Sequence, residues 1–247
     1  MESYIKRNKA KIIVASLPIF LVIYLFVQWS LNTETYSWNQ KVTVSVETSS
    51  GMYESSTIHQ IEWKKNWCFF PAGLECDRWT VVFTGDAPLV ELPTNAVILA
   101  TIGGGTKYGF SRMLVDQFEN SRNLNIEPRE EFVQLAAESS NVTVELTIPL
   151  SPGSVTLGFV DKNDAESIFY VSSTTPAYKA LGIQKVTLLV EKTEDELVES
   201  TISQTLPWLL EMGKHDRLEV DYGTYMGRPN IGRVSQKSFS SQLLLKE

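Results

Sequence analysis

Residues 12–31 form a 20-residue run without a charged side chain, and outside the apolar set it holds Ser16, Pro18, Gln28 and Ser30. As a helix rising about 1.5 Å per residue, such a run is about 30 Å long, the thickness of a bilayer's hydrocarbon core. A buried helix of a soluble protein is shorter and keeps a polar stripe, so the run is expected to be a transmembrane helix.

Its flanks set the direction. Residues 1–11 carry Lys6, Arg7, Lys9 and Lys11 against Glu2, a local charge of +3, which leaves −10 on the remainder of a chain whose total is −7. Basic flanks stay in the cytoplasm, so the polypeptide beyond the run is expected to be exported. A cleaved signal peptide shares the basic start and apolar centre, but it needs an A-x-A-like site of small residues. Here the sequence reads Val27-Gln28-Trp29-Ser30-Leu31-Asn32. An uncleaved signal-anchor fits better, with Trp29, Tyr36 and Trp38 as an aromatic belt at the far interface.

The expected organisation is a cytoplasmic basic tail over 1–11, a transmembrane helix over 12–31, a juxtamembrane linker over 32–40 and an exported domain over 41–247. An acidic domain argues against nucleic acid as a partner, because neutralising phosphates takes clustered Lys and Arg. The 43% hydrophobic content is ordinary for a globular domain and excludes a disordered or collagenous chain.

Val42, Val44 and Val46 alternate with polar residues, the period of a half-buried strand. Ser49-Ser50-Gly51 follows as a turn. Further strand patterns lie at 58–63, 79–83, 96–101, 142–148, 155–160, 168–171, 186–190, 218–222 and 242–245, with Asp161-Lys162-Asn163-Asp164 as a hairpin turn. Helical spacing appears in Phe110, Met113, Leu114 and Phe118, and again in Phe132, Leu135 and Ala136 after Pro128. The capping box Thr193-x-x-Glu196 predicts a third helix over 194–204, ended by the apolar plug Leu206-Pro207-Trp208-Leu209-Leu210. Strands outnumber helices without βαβ alternation, so the expected fold is α+β with a mostly antiparallel sheet.

Cys68 and Cys76 bracket Pro71-Ala72-Gly73, a turn signal. Their C-x7-C spacing suits neither zinc nor a redox pair, so in an oxidising compartment a disulfide is the simplest reading, with two buried thiols as the alternative. Closing that loop would stabilise the fold by about 2 to 3 kcal/mol. Trp63, Trp67 and Trp79 read as core aromatics rather than a ligand platform.

Chemistry-bearing motifs are weak. Gly103-Gly104-Gly105-Thr106-Lys107 lacks the spacing of a phosphate loop, and Asp161-x-Asn163 has Ala165 and Glu166 where a calcium loop needs a ligand and a glycine. Neither G-x-S-x-G nor H-E-x-x-H occurs, so no metal, cofactor or catalytic residue is assigned. Asn141-Val142-Thr143 is a glycosylation sequon, meaningful in a eukaryotic secretory pathway. His59, in an expected strand, and His215, in a charged loop, are the two imidazoles that could serve as a general base.

Val46-Glu47-Thr48 with Gly51, Phe159-Val160-Asp161-Lys162-Asn163-Asp164 before Ser167, and Leu206-Pro207-Trp208-Leu209 together resemble an uncharacterised family of proteobacterial membrane-anchored proteins. Its members share a V-x-F/x-D-x-x-D turn and a terminal L-P-W-L. The resemblance spans most of the exported domain, although a Pro after Asp164 and basic residues before L-P-W-L are missing here. It implies a single-pass protein of a bacterial inner membrane, with the domain over 41–247 in the periplasm, and carries over no catalytic residue. The sequence thus points to a non-enzymatic, membrane-anchored binding or interaction protein with a protein partner in the cell envelope. The alternative is an envelope hydrolase using paired carboxylates, His59 or His215.

Overall fold

In a computed structural model, the described residues are 20, 22–27, 34–66, 79–101, 110–119, 128–148, 156–213, 216–225, 228–235 and 238–240. They form a mostly antiparallel β-sheet domain with a few helices. The chain divides into two compact units, Met1–Thr35 with Trp63–Thr80, and Tyr36–Glu62 with Val81–Glu247.

The strand pattern around Val42 belongs to β1 (Thr35–Thr48), which turns at Ser49 and Ser50 into β2 (Gly51–Lys65). With β3 (Trp79–Thr84), β6 (Thr143–Ile148) and β9 (Ile183–Thr193) they make a five-stranded sheet in the order β3-β2-β1-β9-β6. Register explains its cohesion. Val42 faces Val190, which faces Val144, and Val44 faces Leu188, which faces Leu146, so rows of apolar side chains cross three strands on one face. Helix α1 (Phe110–Glu119) buries Leu114 and Val115, and α2 (Glu130–Glu138) buries Val133 and Ala136. Leu135, expected on the buried face of α2, is 42% exposed, because Val133 and Ala136, three apart, set the inward stripe. Lys192 Nζ reaches from β9 to the carbonyls of Ala136 and Ala137, placing a cation at the C-terminal end of α2 where the helix dipole favours it.

A second, four-stranded sheet has the order β4-β5-β7-β8, from β4 (Leu89–Glu91), β5 (Val97–Ala100), β7 (Thr156–Phe159) and β8 (Ile168–Tyr170). The expected hairpin between β7 and β8 is present. Asp161 Oδ1 accepts from the Asn163 N–H at 3.0 Å, and Asp164 Oδ1 accepts from the Glu166 N–H at 2.9 Å, capping a 3-10 turn. Two further strands, β10 (Leu218–Tyr225) and β11 (Arg228–Val234), pair antiparallel. β11 falls in a stretch that reads as a loop by its Gly and Ser.

Short helices α3 (Pro176–Ala180) and α4 (Ile202–Thr205) complete the described elements, with a 3-10 turn at Pro207–Leu210. The long helix expected over 194–204 is absent. Thr193 Oγ1 accepts from the Asp195 N–H at 3.1 Å instead of from Glu196, closing a tight Ser/Thr turn. Residues 194–200 are irregular and Val198 is exposed, so this stretch has no apolar stripe to pull a helix onto the core. The plug does form: Leu206 and Leu209 are buried with Phe159, Leu157, Leu99 and Phe239.

β1 starts six residues before Lys41, inside the expected linker. Trp38 is consequently buried, donating from Nε1 to Gln40 Oε1 at 3.2 Å, and the Tyr36 hydroxyl donates to Glu130 Oε1 at 3.3 Å. Both aromatics are part of β1, on the face that also carries Gln40 and Val42, with Trp38 buried and Tyr36 half-buried. Of the apolar run 12–31, residues 20 and 22–27 are described; 22–27 are helical, and Val22, Ile23, Tyr24 and Phe26 are exposed. No helix among the described residues is long and apolar enough to cross a membrane. Within the first unit, Trp63 and Trp79 are buried edge to face with ring centroids 5.7 Å apart. Trp67, Cys68, Cys76, Gly103 to Lys107, His215 and the strand expected over 242–245 lie outside the described residues.

Candidate functional site: an acidic groove along a strand edge

A groove of about 510 Å³ opens in the second unit. Three segments wall it: Ser55 to Ile58 of β2, Asp86 to Leu89 with Glu91 at β4, and residues 195–205 between β9 and the plug. Asp86, Glu91, Asp195 and Glu199 line it, against Lys41 as the lysine of the lining. Even with Glu91 paired to Lys162, the carboxylates outnumber the ammonium groups and give the groove a negative field, which a concave wall of low polarisability strengthens.

The carboxylates differ in what they already do. Glu91 bonds Lys162 Nζ at 2.6 Å and accepts from the Thr205 hydroxyl at 3.1 Å, so Lys162 above all holds its carboxyl below the usual range. Asp86 accepts from the Ser240 hydroxyl. Asp195 is fixed by its backbone, its N–H donating to Thr193 and its C=O accepting from Asn39 Nδ2 at 2.9 Å, while its side chain is exposed to the groove. Glu91 and Lys162 also tie the groove to the plug. The Lys162 carbonyl accepts from Trp208 Nε1 at 2.9 Å, and Trp208 packs on Phe159 with centroids 5.0 Å apart. The F-V-D-K-N-D and L-P-W-L stretches therefore meet in space as one packed and hydrogen-bonded support.

His59 sits behind the groove wall. Its ring is fully buried, edge-on to Phe83 at 4.5 Å, and Nε2 lies 2.7 Å from the Asp86 carbonyl. A carbonyl only accepts, so the proton is on Nε2. Burial pushes the pKa down to about 4, partly offset by that carbonyl, and the ring is neutral at pH 7. His59 is thus a core residue that orients the Asp86 backbone, not an accessible general base. Gly85 makes this packing possible. It has φ +149°, and a Cβ there would stand 2.6 Å from His59 Cδ2 and 3.0 Å from the Ile58 carbonyl oxygen. Gly85→Ala is expected to destabilise the fold by about 2 kcal/mol or more, read from the midpoint and slope of urea unfolding; an unchanged midpoint would contradict this packing.

The groove's four carboxylates are separated by up to 113 positions in the chain, so no short motif marks it. The local signal that could have marked it is the acid-rich segment 194–199, which carries Glu194, Asp195, Glu196 and Glu199. Among the described residues, no group of three or more His, Cys, Asp or Glu is placed to hold a metal ion. No family model matches the chain, and neither a curated protein nor a solved structure matches it.

Proposed function

We propose that the chain is a single-pass inner-membrane protein, anchored through the lipid bilayer by residues 12–31 with its basic tail in the cytoplasm. Its periplasmic β-rich domain binds a protein partner of the cell envelope in the acidic groove. The groove carries this reading: it is concave, built on two sheet elements, and presents the Asp195 carboxylate and the hydroxyls of Ser55, Ser56 and Thr57 to an incoming ligand. The exposed apolar helical residues 22–27 support the anchor, since a surface of Val, Ile, Tyr and Phe is stable against lipid and not against water.

Site-specific photo-crosslinking in intact cells tests it. A crosslinker at Asp195 is expected to give a discrete protein adduct in the membrane fraction, whereas one at the exposed Lys185 of β9 gives none. Adducts of equal yield from both positions, or from neither, would remove the groove as the binding site. A periplasm-specific reporter fused after Glu247 that stayed inactive would reverse the proposed orientation.

A further inference from the structure

Among the described residues, the pairing of β2 leaves part of its outer edge without a neighbouring strand. β3 ends at Thr84, and the backbone at Gly85 stands beside Ile58 and His59, so the six residues of β3 cover the far half of the fifteen-residue β2. Residues 51–57 run on beyond it. Alternation along an antiparallel pair then says which backbone groups face outward. The tight turn at Ser49 and Ser50 closes on Thr48 and Gly51 as a hydrogen-bonded pair, and Ser45 lies opposite Glu54, their side chains 3.5 Å apart. The same alternation returns at the far end, where the Lys65 N–H donates to the Glu34 carbonyl at 2.9 Å. Odd-numbered residues of β2 therefore bond β1, while Glu54 and Ser56 direct N–H and C=O away from it. Ser55 and Thr57 come from one face of the strand and Ser56 and Ile58 from the other, yet all four line the groove, so it wraps the strand's edge.

We propose that the groove takes a basic, extended segment of the partner as an added strand along the outer edge of β2, bonded to the Ser56 backbone, with Asp195 receiving its cationic side chains. This rests on the groove being the partner site, and adds the chemistry and the geometry of the ligand. Main-chain bonds to an exposed edge supply affinity in such strand addition, and flanking side chains supply selectivity. Charge complementarity selects the class: with Glu91 paired to Lys162, Asp86, Asp195 and Glu199 still outnumber Lys41 in the lining, so a Lys- or Arg-bearing strand is attracted and an acidic one is repelled. A three-residue β4 opposite gives the inserted strand a second wall.

The test uses the full chain in phosphatidylcholine nanodiscs, titrated with a fluorescein-labelled peptide of alternating Lys and Val and with its Glu and Val counterpart. The basic peptide is expected to bind at least about tenfold more tightly, the scale of one charge-assisted hydrogen bond in a shielded site. Ser56→Pro removes the outward N–H but no bond to β1, and is expected to weaken binding by about tenfold, whereas Ser56→Ala, which keeps that N–H and loses the hydroxyl alone, is expected to weaken it by less than about threefold. Asp195→Asn is expected to weaken it several-fold independently, and thermal melts confirm that each variant is folded. Equal binding of both peptides, no binding of either, or identical behaviour of the two Ser56 variants would overturn strand addition; so would an Asp195→Asn affinity equal to wild type if Ser56→Pro does not fold. Should the peptides fail while crosslinking from position 195 still captures a partner, the groove reading survives and this inference falls. Failure of both removes the two together.

Discussion

Phe159→Ala is expected to destabilise the second unit by about 4 kcal/mol, the usual cost of removing a fully buried ring that the surroundings cannot refill. Phe159 has no exposed surface and packs in a triangle of rings with Trp208 and Phe239, whose centroids are 5.0 and 6.2 Å away. Around it the cluster draws Leu99, Leu157, Leu206, Leu209 and Val220 from both short sheets and the plug, so a cavity there loosens several elements at once. For a domain of this size, about 4 kcal/mol corresponds to a fall of roughly 10 °C in the unfolding midpoint. Phe159→Leu should cost roughly 1 to 2 kcal/mol by comparison. Thermal unfolding of the two variants checks this, and a fall of under about 2 °C for alanine would show that Phe159 is not central to the core. Because the same ring supports Trp208 and hence Lys162 and Glu91, the alanine variant should also weaken the groove's ligand.

The second large effect is in pH. His59 binds its proton at about pH 4 when folded and near its ordinary 6.5 when unfolded. Between those values the unfolded chain takes up more protons, so the His59 contribution is complete above pH 6.5 and is lost as pH falls toward 4. A difference of this size amounts to about 3 kcal/mol. Urea unfolding of the wild type and of His59→Gln across pH 4 to 7 separates this from the carboxylates, which titrate in both proteins. The stability gap between the two should narrow as the solution is acidified. A gap independent of pH would mean that the imidazole is hydrated or charged in the fold.

Much of the sheet was legible because burial on one face imposes a period of two. Val42, Val44 and Val46 announce β1, Leu188 and Val190 announce its neighbour β9, and Val144 and Leu146 announce β6 one strand further on. The turns were legible too, since Asp161 and Asp164 bond the backbone within three residues of themselves. Less could be read where the decisive partner is distant. Thr193 offers a capping hydroxyl to any helix, but segment 194–200 takes none because its acidic residues have no apolar face to bury. Trp38 reads as an interfacial aromatic from its place in the chain, but in the fold it is a buried residue of β1.

The function-bearing features divide along the same line. An uncharged 20-residue run between a basic tail and an acidic remainder is fixed by local composition, and it suffices for the expectation of an anchored, exported domain. The strands, their turns and the mostly antiparallel character are likewise local, because hydrogen bonding and side-chain alternation act over one or two residues. The groove was decided by tertiary structure alone. Asp86, Glu91, Asp195 and Glu199 are unremarkable surface acids until two sheets and the 195–205 segment bring them around one strand edge. Whether His59 is a base or a core residue was settled the same way: burial against Phe83 and the Asp86 carbonyl removes the water that would let it titrate near neutrality.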